Sequence, residues 1–227
     1  MTSETGEIPR HPLIIGLPEL GFDGGKFVKS LQQSEIVPLG VYISIRGSGL
    51  LTFGKNGRNG AGLKGVMNWA MNLKDRPALV VNIAHEVGSE SALVCADLAI
   101  SLLYRKGKGL RFIIASADPA VIAHIKGLYR DVETALILRG ESDNVLRSMP
   151  LKDYQTLGYR HLIIENLASE ENSDGFAEFA EYARVSHGVQ VWVITGTLIA
   201  FAATLVDKKV GVISECPMQI AQCVLNG

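Results

Sequence analysis

Short, almost uninterrupted apolar runs recur along this chain, separated by stretches in which apolar residues have helical spacing. Residues 190–217, QVWVITGTLIAFAATLVDKKVGVISECP, show the unit most plainly. The run at 191–195 is rich in β-branched residues, an apolar helical stretch follows, and a second run occupies 210–214. Each run is too short for a buried helix and too uniformly apolar for a strand with one wet face. Strands covered on both faces and joined by a crossover helix, as in a parallel sheet, have this signature.

The unit repeats through the chain. Strands are predicted at 13–16 (LIIG), 41–45 (VYISI), 78–84 (ALVVNIA), 112–116 (FIIAS), 135–138 (ALIL), 161–164 (HLII), 191–195 and 210–214. Helices are predicted at 26–34, 63–73, 91–104, from 119 onward, and at 142–149, 174–186, 198–206 and 218–225. Within 63–73, Leu63, Val66, Met67, Ala70 and Met71 share one face of a 3.6-residue period. Asp118-Pro119 is a helix start, with Asp as N-cap and Pro in the first turn, and the KGKG at 106–109 is a helix stop. Residues 1–11 read as a polar tail and 12–227 as one domain. Eight alternating units in 227 residues predict a compact, single-domain (β/α)8 TIM barrel at the small end of that fold's range. An open, doubly wound sheet is the rival arrangement.

Composition narrows the function classes. Hydrophobic residues make up 47% and charged residues 20%, a globular balance and not a disordered one. A net charge of −1 gives no basic footprint, so nucleic acid is not expected as a partner. No apolar run reaches the roughly 18 residues needed to cross a bilayer, so the chain is not expected to be transmembrane. The N-terminus lacks the basic start and apolar middle of a secretory signal. Cys95, Cys216 and Cys223 have no metal-like spacing and read as reduced thiols, which points to an intracellular, cytoplasmic location with organelle import left open. A zinc site on Cys216 and Cys223 would need further ligands nearby. The glycine-rich stretch 46–62, RGSGLLTFGKNGRNGAG, looks superficially like a phosphate cradle. It has no GK[ST] and no surrounding GxGxxG unit, so turn chemistry is the plainer reading.

In a barrel of this kind chemistry sits at the C-terminal ends of the strands and in the loops just after them. The polar residues there can be read strand by strand: Glu19, then Ser44 and Arg46, then Asn82, His85 and Glu86, then Ser116 and Asp118. Strand five contributes Arg139 and Glu141, strand six Glu165 and Asn166, and strands seven and eight Thr195 and Glu215. His161 begins a strand, at the opposite end from any such site, and His124 and His187 fall on helices or their ends.

Three segments resemble the glycerophosphodiester phosphodiesterase family. RFIIASADPAVIAHIKGLYRDVETALIL is similar to that family's strand-four "sSFdp" turn with its helix and next strand. VQVWVIT is similar to its tryptophan-containing seventh strand, and KKVGVISECPMQI to its closing "GVDGIITDRPD" element. They are spread over about half the chain, from 111 to 220, and the resemblance implies the fold and ancestry of a phosphodiesterase barrel.

The family's catalytic motifs are missing. Its first strand ends in His-Arg-Gly, the His for acid–base chemistry and the Arg for phosphate; here Leu17 and Pro18 stand in those places. Its second strand ends Glu-x-Asp, two metal ligands on one face by β alternation; here the positions are Tyr42 and Ser44. Its second His has no counterpart around 53–55, and its third-strand Glu falls on Asn82 or Ala84. Acid, base, phosphate arginine and metal ligands are all lost.

Two readings follow. The first is a degenerate phosphodiesterase-like barrel without hydrolase activity or cofactor, a pseudoenzyme acting as a binding or structural subunit. Arg46, Arg139 and Asn82 are then ligand-binding candidates, and two arginines at a barrel mouth suit a phosphorylated small molecule. The second is an active, divergent phosphodiesterase with a rebuilt site, using Mg or Ca and carboxylates and a histidine drawn from His85, Glu86, Glu165 and Glu215. Carboxylates in a first helical turn are also stabilising without any chemistry, which favours the first reading. The stretch 198–206, LIAFAATLV, is apolar nearly all round. Either the terminal helix covers it or a protein partner does, and a homo-oligomer or other protein contact is the expectation.

Overall fold

A computed structural model describes residues 10–16, 37–45, 63–73, 76–84, 89–139, 157–165 and 173–226. Their strands are β1 (Arg10–Gly16), β2 (Val37–Ile45), β3 (Ala78–Ile83), β4 (Phe112–Ser116), β5 (Glu133–Arg139), β6 (His161–Glu165), β7 (Gln190–Gly196) and β8 (Gly211–Ser214). The helices are α1 (Leu63–Asn72), α2 (Glu90–Lys106), α3 (Pro119–Leu128), α4 (Ser173–His187), α5 (Ile199–Asp207) and α6 (Pro217–Asn226). The expected helices at 26–34 and 142–149 and the glycine-rich stretch 46–62 lie outside the described residues.

All eight strands are parallel and form a closed barrel in sequence order. Closure comes from β1 and β8, where Ile14 pairs with Val212 and Gly16 with Ser214. The (β/α)8 barrel is therefore the fold, and the doubly wound alternative is not.

Strand alternation divides the apolar side chains into an inner set and an outer set. Ile15, Tyr42, Val80, Ile113, Ala115, Ala135, Ile137, Ile163, Trp192 and Ile213 fill the interior, and the lower part of this packing leaves no room for a water molecule. Outside, Val41, Ile43, Leu79, Val81 and Ile114 pack under α1, α2 and α3 through Leu63, Met67, Cys95, Ile100 and Val121. On the other half, Leu162, Ile164, Val191, Val193 and Val212 meet Phe176, Ala180, Phe201, Leu205 and Ile220 of α4, α5 and α6. Every residue of β3 is buried, the two-sided burial that its unbroken apolar run implies.

Helix ends follow the local sequence. The Asp118 carboxylate accepts from the Ala120 N–H at 2.8 Å, and Pro119, which has no N–H to satisfy, opens α3. Gly107 caps α2 with its N–H on the Leu103 carbonyl. β1 and β2 begin earlier than their apolar runs suggest, because Pro and Gly interrupt the pattern there. Gly40 is a close approach: a Cβ would stand 2.5 Å from the Ala78 carbonyl oxygen of the neighbouring strand.

The apolar helix α5 has a cover within the chain. Its Phe201, Ala202, Leu205 and Val206 share one cluster with Ile220 and Ala221 of α6, and Ala200 and Thr204 face solvent. Of the two covers considered, the terminal helix is the one in place. Among the described residues no cysteine is in a disulfide, and no helix is long and apolar enough to cross a membrane.

Candidate binding site at the barrel mouth

The described mouth is built from three groups. β2 and β3 run in register with Ser44 opposite Asn82, and the Asn82 Nδ2 donates to Ser44 Oγ at 3.0 Å. Tyr42 lies two residues below Ser44 on the same face of β2 and points its hydroxyl up towards this pair. Burial pushes that phenol well above its ordinary range, and the Glu165 carboxylate adds to the effect. Ser44, Arg139 and Asn82 act the other way and do not overcome it, so Tyr42 stays protonated and is a hydrogen-bond donor.

The second group is an ion pair. β5 and β6 place Arg139 opposite Glu165, and Arg139 Nε meets Glu165 Oε2 at 2.6 Å. The positive charge that Arg139 offers to an anionic ligand is thus already opposed by a carboxylate. The third is Glu215, exposed just after β8, with its backbone N–H on the Gly196 carbonyl.

Other candidates do not join them. The Ser116 hydroxyl accepts from the Asp118 N–H, and Asp118 caps α3, so both serve the helix start. Thr195 alternates with the inward Ile194 and faces the outer layer. His124 pairs with Asp97 at 3.0 Å, and His187 lies against Tyr182. Glu19, Arg46, His85, Glu86, Glu141 and Asn166 lie outside the described residues.

A divalent cation of the hard, oxygen-seeking kind requires several carboxylates. Tyr42, Ser44 and Asn82 are neutral, and Glu165 is committed to Arg139. Among the described residues no group of three His, Cys, Asp or Glu is placed to share a metal.

At the opposite end, His161 enters a network that its position on the strand did not reveal. Trp192 Nε1 donates to His161 Nδ1 at 3.3 Å, and His161 Nε2 lies 3.0 Å from Glu133 Oε2. The same carboxylate oxygen accepts from Arg111 at 3.1 Å. An indole N–H can only donate, so Nδ1 carries the lone pair and the imidazole proton is on Nε2, held by Glu133. Burial pushes the His161 pKa below its ordinary value even though Glu133 opposes the shift. For Glu133, burial acts upward, but the hydrogen bonds from His161 and Arg111 outweigh it and hold the carboxyl below its usual range. This is a neutral histidine braced by a charged glutamate, a buried polar contact of the barrel floor.

Comparison with solved structures gives the same fold. A glycerophosphodiester phosphodiesterase from Parabacteroides distasonis superposes with a TM-score of 0.71 at 13% identity, covering 95% of this chain and 98% of that one. A phosphodiesterase of Oleispira antarctica, solved with the product sn-glycerol-3-phosphate, gives 0.68 at 12% identity over 95% and 97% of the two chains. N-(5'-phosphoribosyl)anthranilate isomerase from Pyrococcus furiosus, a different chemistry, gives 0.56 at 10% identity over 96% and 100%. No protein-family model and no curated protein sequence matches the chain. The chain is a TIM barrel whose structural neighbours include glycerophosphodiester phosphodiesterases, and at these identities the likeness is one of fold.

Proposed function

We propose that this chain is a glycerophosphodiester phosphodiesterase-like barrel without hydrolase activity, a binding subunit that uses the mouth of its barrel. The observation that carries this reading is the neutral Tyr42–Ser44–Asn82 group. It occupies the strand ends where the resemblance calls for carboxylates, with Tyr42 held protonated. Neither a metal-activated nucleophile nor an acid–base pair can be assembled from such side chains. Asn82 and Arg139, with Arg46, which follows Ile45 at the end of β2 in the sequence, are the ligand-binding residues in this reading. An intracellular location with reduced thiols accords with it, and so does a protein partner on another face.

The test is hydrolysis of glycerophosphocholine followed by NMR, with Mg or Ca added and then removed by chelator, together with calorimetric titration of each metal. The expected result is no metal-dependent turnover and no metal binding. Metal-dependent release of glycerol 3-phosphate that disappears in Glu165→Gln would overturn the proposal and establish the divergent enzyme instead.

A further inference from the structure

The outward face of α2 is apolar at its centre and oppositely charged at its two ends. Glu90, Val94, Leu98, Ser101 and Arg105 recur at helical spacing and, at about 100° per residue, fall within an arc of about 80°. Val94 is 51% exposed and Leu98 41%, whereas the neighbouring α1 turns Lys64, Asn68 and Asn72 to solvent. On its other side α2 is tied to α3 by the Asp97–His124 contact. There α3 exposes Ala120, Ala123 and Gly127, residues too short to hold a partner away. Single exposed apolar side chains need no explanation, but here two adjoin on one stripe that a charge of each sign closes. Glu90 and Arg105 are both exposed, and neither has an ion-pair partner among the described residues. They stand about 22 Å apart along the helix, too far to meet each other.

We propose that α2 is the contact face of a homodimer, in which the α2 helices of two copies pack antiparallel across a two-fold axis. A stripe whose charge changes sign from end to end is complementary to itself when reversed. Glu90 then meets Arg105 of the partner subunit and Arg105 meets Glu90 of the partner subunit, the reciprocal pairing that a two-fold axis requires. The axis falls midway between these ends, so Leu98 packs beside Leu98 of the partner subunit and Val94 lies over Ser101 of the partner subunit. Asp97 is held aside by His124, which keeps its carboxylate from being set against its own copy. Other occupants match only one end. A basic segment satisfies Glu90 and meets Arg105 as a like charge, and an acidic segment or an anionic lipid surface does the reverse. A face one to two helices wide buries less than the roughly 800 Å² per partner of a standard interface, so a dissociation constant in the micromolar range is expected. Because α2 follows β3 and returns to β4, it runs from the mouth end to the floor end. The antiparallel arrangement therefore leaves both mouths open, facing opposite ways.

The inference goes beyond the reading of the mouth, since α2 lies on the outer wall and neither test depends on the other. Sedimentation equilibrium over roughly 1–300 μM protein measures it. The wild type is expected to show a monomer–dimer equilibrium, and Leu98→Arg to weaken it at least about tenfold by placing two charges at the axis. Glu90→Arg and Arg105→Glu each set like charges together at both ends, and each is expected to weaken the dimer roughly tenfold. Mixed in equal amounts, these two variants should associate about as well as the wild type, because every end of the mixed pair again meets its opposite. The recovery separates a contact from a folding defect, which mixing cannot repair, and thermal melts confirm that each variant folds. A wild type that stays monomeric throughout the range, a Leu98→Arg dimer as tight as the wild type, or a mixture no tighter than its two components would each overturn the proposal.

Discussion

Gly211→Ala is a small change with a large expected effect. Gly211 opens β8 opposite Trp192 of β7, and a Cβ there would stand 2.4 Å from Trp192 Cε3, 2.8 Å from Cδ2 and 2.9 Å from Cζ3. These are atoms of a rigid ring, not the loose end of a flexible side chain. Trp192 is 4% exposed and tied through its N–H to His161, so the ring cannot swing away without giving up that bond. Overpacking of this kind costs about 1–3 kcal/mol, and losing the indole bond adds about 1 kcal/mol. Replacing a glycine whose φ suits alanine recovers about 0.4–1 kcal/mol by restricting the unfolded chain. The net expectation is a destabilisation of about 1–3 kcal/mol, or a fall in Tm of roughly 3–10 °C for a domain of this size. Urea denaturation followed by tryptophan fluorescence measures it. In a Trp192→Leu background the clash has no ring to meet, so the added methyl should cost less by at least about 1 kcal/mol. A Gly211→Ala protein within about 0.5 kcal/mol of wild type, or the same cost with and without Trp192, would refute the argument.

Acid should loosen the floor in two stages. His161 is held neutral with a pKa below its ordinary 6.5. The unfolded chain therefore binds the extra proton first, and the stability contributed by the neutral ring is present above about pH 6.5 and is lost as pH falls towards the folded value. Glu133, held below the usual carboxylate range, adds a loss at lower pH. Urea midpoints measured from pH 7 downward should fall, and the first stage should be absent in His161→Asn; an unchanged profile in that variant would place the titration elsewhere. Asp118→Ala removes the acceptor of the Ala120 N–H and should cost about 1 kcal/mol, up to 2, by the same urea titration.

Strands with unmixed apolar composition were legible in the sequence, and β4 at Phe112–Ser116 was read to its full length. Where charged or special residues enter the barrel, the pattern misled. β5 runs from Glu133 to Arg139, two charged ends that hydropathy assigns to loops and that pair instead with His161 and Glu165. β2 was shortened by Pro38 and Gly40, because a glycine that permits close strand approach looks the same in sequence as one that makes a turn. The mouth residues were found one at a time, since β alternation names which side chains face inward. What they do to each other depends on register between strands, which no local pattern contains. Ser44 meeting Asn82 and Glu165 opposing Arg139 are both register facts. His161 was placed at the correct end, but its tautomer needs Trp192 from the next strand.

The pairing of Ile14 with Val212 has a consequence for how the protein is made. One edge of β1 can find its neighbour β2 early, but the other must wait until β8 has left the ribosome. At roughly 5–20 residues per second, that wait is on the order of ten seconds or longer. Throughout it, a growing arc of parallel strands carries an unsatisfied row of backbone N–H and C=O groups at each end, the kind of edge that recruits foreign strands. Lengthening the pause just before residue 211, by slow codons or a stalled ribosome, would prolong the exposed state without altering a single contact of the finished ring. Yield of soluble protein should therefore respond to translation speed over the codons just before Gly211 more than to changes of equal size between β1 and β2.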